Sequence, residues 1–384
     1  QAVTIEEFVQ AMEDASGREL SQFRRWYKQA GTPVLKVNST RNIDAQTLTL
    51  VFEQSCPTTP GQKVKEPFVI PVKLGLVGAD GTDLVLNSDG ETEIVYELTK
   101  AHQTLVISGI DQDAVPSLLR GFSAPVKLDY SYSAEQLAHL MANDSDGFNR
   151  WDASQTLCLG ILKQLTQDSL HERPLVLNSY LIEAYGTLLA DRALDPAMVS
   201  LMLQLPTEAL LHEDAETIHA AAIHDARSFL RSALAGALAD QFMAVYQRHN
   251  VQTTYAPDSQ QIGTRSLKNA ALSYLMLVGD RGVDLAWEQF KSADNMTDKA
   301  AALSALVNCP AAANYAEQAL CEFELDYRDE ALVMNLWLQI QAINTQPDGL
   351  VRVRGLMNHS AFTMSNPNKL RSLIGAFCSA NLVN

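Results

Sequence analysis

The apolar positions of this chain change period near residue 132. Ahead of that point they fall in short blocks; behind it they recur every three or four residues. A brief helical preface comes first. Ile5, Phe8, Val9 and Met12 keep helical spacing behind Thr4-Ile-Glu-Glu, a helix start with acids in its first turn. Leu20, Phe23 and Trp26 continue the spacing in a second segment. Gly31-Thr-Pro33 stops it, because a proline disfavours helix at the residue before it. This is too little helix for a domain, so residues 1–31 read as the helical tail of a domain whose body lies outside the sequence.

From Pro33 to about Tyr132 the runs are Val34–Val37, Thr47–Glu53, Phe68–Val77, Asp83–Leu86, Glu93–Leu98, Thr104–Ile110, Leu118–Phe122 and Val126–Tyr130. They are rich in Val, Ile, Leu, Phe and Tyr, and turn residues separate them. Many short strands at this spacing predict a small antiparallel β-sandwich over residues 32–132. Asp80-Gly81 between two apolar runs is a hairpin signal. Pro71 sits inside Phe68–Val77 and removes a ladder donor there, so that strand is expected at an edge or at a bulge.

Residues 133–384 read as all-α. Asp152 is placed to cap a helix carrying Leu157, Ile161 and Leu165. Asp195-Pro196 is a cap followed by proline at the first helical position, ahead of Met198, Leu201, Met202 and Leu205. Leu267, Ala271, Leu275 and Val278 form a further stripe, as do Leu303, Leu306 and Val307, and Leu332, Leu336 and Ile340. Asn295-Met-Thr-Asp298 before the second of these is a cap region, with Thr297 or Asn295 as the cap. Breakers at Gly279–Gly282, Asn308–Pro310, Pro347–Gly349 and Asn358-His359 keep the helices short. Stacked antiparallel helix pairs in a superhelical solenoid follow, with repeats in structure but none clean in sequence.

Near the end, Ser365 or Asn366 can cap a helix that Pro367 opens, with Leu370, Leu373, Ile374 and Phe377 on its apolar face. Lys369 and Arg371 fall in its first turns, where the helix dipole disfavours cations. Two readings stand side by side: both are solvated cations, or the Arg371 fork is aimed at a carboxylate, whose geometry it matches bidentately.

A length of 384 residues fits about two or three domains. The net charge of −16 argues against nucleic acid and against anionic membrane surfaces as partners. No apolar run approaches the ~20 residues of a transmembrane helix. The first residues lack the basic start and apolar core of a signal peptide, and there is no initiating Met, so the chain reads as cut from something longer. Five cysteines, scattered and without C-x-x-C, fit buried thiols in a reducing compartment, hence a cytoplasmic protein.

A zinc-binding helix would carry H-E-x-x-H. His171-Glu172 is followed by Arg173-Pro174, and His212-Glu213 has no second histidine at that spacing. His212, His219 and His224 fall in one predicted helical region and read as ordinary histidines. No glycine-rich phosphate loop and no G-x-S-x-G elbow occur. Asp144, Asp146, Asp191 and Asp195 read as caps and turns.

Five stretches carry a resemblance. Phe23-Arg-Arg-Trp-Tyr-Lys-Gln-Ala-Gly-Thr-Pro-Val-Leu, Phe122-Ser-Ala-Pro-Val-Lys-Leu, Asn149-Arg-Trp-Asp-Ala, Asn295-Met-Thr-Asp and Phe362-Thr-Met-Ser-Asn-Pro-Asn-Lys-Leu-Arg-Ser-Leu-Ile-Gly-Ala-Phe closely resemble, in order, the later parts of the bacterial aminopeptidase N family of zinc-dependent alanyl aminopeptidases. The resemblance implies four domains in the parent, of which this chain holds the β-sandwich and most of the helical domain. It lacks the H-E-x-x-H motif, the third-ligand Glu and the Gly-Ala-Met-Glu-Asn motif, so zinc belongs to the full-length parent and no cofactor to this fragment. The family's position at Arg371 faces the cavity above the zinc and contacts the carboxylate end of a bound peptide. A second Arg and a Gln that share this work lie beyond Asn384.

The resulting expectation is a non-catalytic C-terminal fragment of a peptide-degrading metallo-aminopeptidase. It would enclose the active-site cavity, restrict access and help bind peptides. Its partners would be peptide substrates in the parent and the N-terminal and catalytic domains of the same protein. The rivals are a free-standing α-solenoid interaction module and an enzyme with an unrecognised site.

Overall fold

The structure, a computed structural model, describes residues 2–213, 215–251 and 253–381. The chain divides into two compact units, Gln1–Ser154 and Gln155–Asn384.

The first unit opens with helix α1 (Ile5–Ser16). Thr4 and Glu7 cap it reciprocally: Glu7 N–H donates to Thr4 Oγ1 at 3.2 Å and Thr4 N–H to Glu7 Oε2 at 2.7 Å. Ile5, Phe8 and Met12 remain exposed. The second apolar segment forms only a short helix α2 (Arg25–Lys28), because its side chains turn toward a sheet. The Trp26 ring lies 4.6 Å from that of Phe68, and its Nε1–H donates to the Val69 carbonyl at 2.8 Å.

Seven strands follow: β1 (Val34–Asn42), β2 (Thr47–Ser55), β3 (Ile70–Gly78), β4 (Glu93–Leu98), β5 (His102–Ser108), β6 (Ala114–Leu118) and β7 (Lys127–Asp129). One sheet runs β5-β2-β1-β7 and the other β4-β3-β6. Alternation does its usual work. Leu35 and Val37 of β1, Leu48, Leu50 and Phe52 of β2, and Ile70, Val72 and Leu74 of β3 meet in one core between the sheets. Among the described residues four strand pairings are antiparallel and one is parallel, β7 to β1 with Val34 opposite Lys127. Two sequence expectations are corrected here. Strand β3 is central, not an edge. Pro71 is tolerated because β4 alone pairs there, β6 joining only from Leu74 onward, so the missing donor lies on a locally unpaired side. The Asp80-Gly81 turn forms, with Gly81 at φ 82, but its return arm is a single bridge, Val77 with Asp83, and not a strand.

The run at Leu118–Phe122 likewise leaves the sheet. Leu119, Gly121 and Phe122 all take positive φ, at 59, 61 and 53 degrees, and this turns Arg120 inward. Helix α3 (Ala134–Asn143), capped by Ser133, and the start of α4 (Gly147–Leu170) pack into the same unit. Helix α4 begins five residues before Asp152, which therefore lies inside it and caps nothing; Asp146 Oδ1 instead accepts from Asn149 N–H at 2.8 Å.

The second unit holds the rest of α4 and helices α5 (Ser179–Ala190), α6 (Pro196–Met202), α7 (Glu208–Glu213), α8 (Ala220–Ala237), α9 (Ala239–His249), α10 (Ser259–Leu275), α11 (Asp280–Ser292), α12 (Met296–Val307), α13 (Ala313–Tyr327), α14 (Ala331–Ala342), α15 (Gly349–Leu356), α16 (Pro367–Leu370) and α17 (Ala376–Ala380). Caps read from the sequence are in place: Asp195 on α6, Asn295 on α12 and Asn366 on α16, each accepting a backbone N–H. Phe242 of α9 and Tyr274 of α10 stack at 4.4 Å, and Tyr274 O–H donates to the Leu203 carbonyl after α6. No helix among the described residues is long and apolar enough to cross a membrane.

Candidate functional site

Arg371 lies where one helix changes its winding. Asn366 Oδ1 accepts from the N–H groups of Asn368 and Lys369, and α16 starts as read. Arg371–Gly375 then forms a π-helical turn before α17 resumes. A turn with one extra residue rotates everything after it, and such turns concentrate at functional positions. The stripe expected at Leu370, Leu373, Ile374 and Phe377 is therefore altered. Leu373 and Ala376 are the buried pair, while Leu370, Ile374 and Phe377 are half-buried. The two cations separate in role. Lys369 Nζ is tied to the Ala361 carbonyl, whereas Arg371 is exposed and holds no hydrogen bond or ion pair among the described residues.

The histidines do not converge. His171 Nδ1 is bonded to the Gln167 carbonyl at 2.7 Å, His139 Nε2 to the Gly78 carbonyl at 2.8 Å, and His224 Nδ1 to Glu208 at 2.9 Å. His212 ends α7 and His224 is in α8, with His219 at the start of that second helix, so the single helical region read from the sequence is two. Among the described residues no group of three His, Cys, Asp or Glu side chains is arranged to hold a metal.

Two charged clusters escaped sequence reading. Arg120, 1% exposed, donates through Nη1 and Nη2 to both oxygens of Asp83 at 3.1 and 2.8 Å, through Nη2 to Asp144 at 2.9 Å, and through Nε to Ser117 at 2.8 Å. Burial lowers the guanidinium pKa, but its partners outweigh that and raise it overall. Burial pushes the Asp144 carboxyl above its ordinary value despite Arg120. Asp83 is held below its ordinary value, the bonds from Arg120 and Ser145 outweighing burial. This cluster is why the first compact unit runs to Ser154, past the change of period: it fastens the α3–α4 corner to the sheet.

The second cluster lines a polar cavity of about 500 Å³ formed by the chain after α9 and by α10, α11 and the start of α12. Lys268 Nζ donates to Asp298 Oδ2 at 2.6 Å, and Asn269 and Asn295 complete that carboxylate at 2.9 and 3.2 Å. Gln289 bridges Asn269, the Asp298 carbonyl and the buried Tyr246 hydroxyl, whose pKa burial pushes up to about 12. Arg265 also lines the cavity; Arg371 does not. The sequence signal for these residues was the cap region that holds Asn295 and Asp298.

Residues 134–384 match the profile of a domain of unknown function, DUF3458_C, described as ARM repeats, and residues 31–131 match DUF3458, described as an Ig-like fold. Aminopeptidase N of Escherichia coli (strain K12) is 40% identical over 383 residues, 99% of this chain and 44% of the relative. Aminopeptidase N of Haemophilus influenzae is 36% identical over 382 residues, with the same two shares. The crystal structure of Legionella pneumophila aminopeptidase A in complex with aspartic acid superposes with a TM-score of 0.82 at 28% identity, covering all of this chain and 44% of that one. The chain thus spans about 44% of the length of these relatives.

Proposed function

Because the chain belongs to the DUF3458_C family and is homologous to the C-terminal portion of aminopeptidase N, we propose that it is the non-catalytic enclosure of a zinc-dependent aminopeptidase. In this reading the parent acts in the cytoplasm, removes N-terminal residues from peptides, and holds its zinc outside the residues described here. Residues 1–31, 32–132 and 133–384 are then the tail of the catalytic domain, the sandwich and the helical domain. The helical domain limits access to short peptides, and Arg371 meets the far carboxylate of the substrate.

The observation that carries the reading is the state of Arg371: a guanidinium at a π-helical turn, open to solvent, with no acidic partner among the described residues. A structural arginine would be spent on a neighbour, as Arg120 is. The test is steady-state kinetics of Arg371→Ala in the full-length parent. A charged hydrogen bond is worth about 1.5–3 kcal/mol, so KM for tri- and tetrapeptides should rise about tenfold or more. A single-residue arylamide offers no carboxylate at that distance and should be turned over as before. Equal losses on both substrates would make the residue structural. No change on either would make Arg371 a solvated cation with no substrate role.

A further inference from the structure

We propose that the polar cavity of the helical unit binds a small amino-carboxylate zwitterion, such as a free amino acid, with the carboxylate on Arg265 and the ammonium toward Asp294. The inference does not rest on the peptidase reading.

The argument begins with charge. Arg265 is 9% exposed. Its Nη1 donates to Gln261 Oε1 at 3.1 Å, its Nη2 reaches the Ala256 carbonyl at 3.3 Å, and its guanidinium lies 5.0 Å from the centre of the Tyr255 ring. All three partners are neutral, and among the described residues no carboxylate pairs with it. A guanidinium carries five N–H donors. A buried charge is costly unless a counter-charge meets it. The other cation of the cavity cannot share one, since Lys268 is matched by Asp298, whose oxygens are already met by Asn269 and Asn295. His249, also in the lining, adds no charge at neutral pH: burial and Arg248 hold its pKa down. Arg265 is therefore the cation of the lining with no paired carboxylate among the described residues, and the remaining acid of the lining, Asp294, is exposed.

Shape and lining narrow the ligand. About 500 Å³ suits a small molecule. Thr264 and Ser292 offer hydroxyl groups, which favours a polar ligand over an apolar one. Two of the five N–H donors are engaged, by Gln261 and Ala256, which leaves three to meet a carboxylate while the Tyr255 ring lies against the guanidinium. Asp294 is an exposed member of the lining and is engaged by a single side-chain donor, Asn295 Nδ2 at 2.9 Å. Its remaining lone pairs can accept an ammonium. A guanidinium in the wall that donates to a carboxylate and a carboxylate in the exposed lining that accepts from an ammonium together describe an amino acid.

The test is isothermal titration of the whole chain with L-alanine, sodium acetate and inorganic phosphate. Saturable binding of L-alanine is expected, with acetate weaker by about tenfold. Arg265→Gln should weaken L-alanine by about tenfold or more, and Asp294→Asn should abolish the preference for L-alanine over acetate. No saturable binding up to ~10 mM, unchanged binding in Arg265→Gln, or tighter binding of phosphate than of L-alanine overturns the proposal. Should Arg265→Gln fail to fold by circular dichroism, the exposed Asp294→Asn decides: a preference that survives in it overturns the assignment.

Discussion

Arg120 and Arg265 are both at least nine-tenths buried, and the two units satisfy them in opposite ways. In the sandwich unit the guanidinium is saturated, with two oxygens of Asp83, one of Asp144, and Ser117. The backbone bends to allow it: three residues at positive φ surround Arg120, and Gly75 lies where a Cβ would land on the guanidinium carbon. In the helical unit the guanidinium of Arg265 meets only neutral acceptors and an aromatic face, beside a cavity. The difference teaches how to tell a fastening arginine from a waiting one. Burial alone does not separate them; the charge of the partners does. Arg371 is a third case, waiting in solvent.

The largest effect should come from the saturated side. Arg120→Leu strands two acidic groups, Asp144 buried and Asp83 nearly so, and breaking a buried pair costs about 3–5 kcal/mol. Urea unfolding should show that loss in the first transition of the sandwich unit. Gly75→Ala should cost about 1–3 kcal/mol by overpacking against the same guanidinium. The two changes should be less than additive when combined, because they share one contact. Simple addition would mean that Gly75 matters for another reason.

Arg265→Gln should cost much less, about 1 kcal/mol, since it removes neutral hydrogen bonds and also removes a buried charge. If it destabilised the chain as strongly as Arg120→Leu, the contrast between the units would collapse and Arg265 would be structural.

The smallest expected effect concerns acid. Asp144 is raised above its ordinary 3.8, so the folded state binds that proton more readily. Its contribution to stability falls as pH rises from 3.8 through the raised value. Asp83 is depressed below 3.8, and its contribution is present above that pH and lost as pH falls through the depressed value. Urea midpoints measured across this range should show both limbs. In Asp144→Asn the limb above 3.8 should shrink to the part that Asp152, also raised, contributes, while the loss below it stays. A profile unchanged by the substitution would mean that Asp144 does not titrate differently in the folded state.

What the sequence determined by itself is what acts within a few residues. Period placed the sandwich before the helices, because strand and helix repeats of two and 3.6 are properties of the backbone. Asp195, Asn295 and Asn366 were legible as caps because a cap and its N–H lie two or three residues apart. The ordered motifs carried the family as well. Tertiary structure alone decided the rest. Arg120 reaches Asp83 across 37 residues and Asp144 across 24, and Lys268 reaches Asp298 across 30, distances at which no local rule selects a partner. Pro71 was legible as a missing donor, but whether the donor was needed depended on where β6 begins. Arg371 was legible as a cation off the apolar stripe, but the π turn that starts at it is announced by no spacing. Arg265 was not legible at all, because what marks it is that no carboxylate among the described residues pairs with it, and only the packed helices decide which side chains come near.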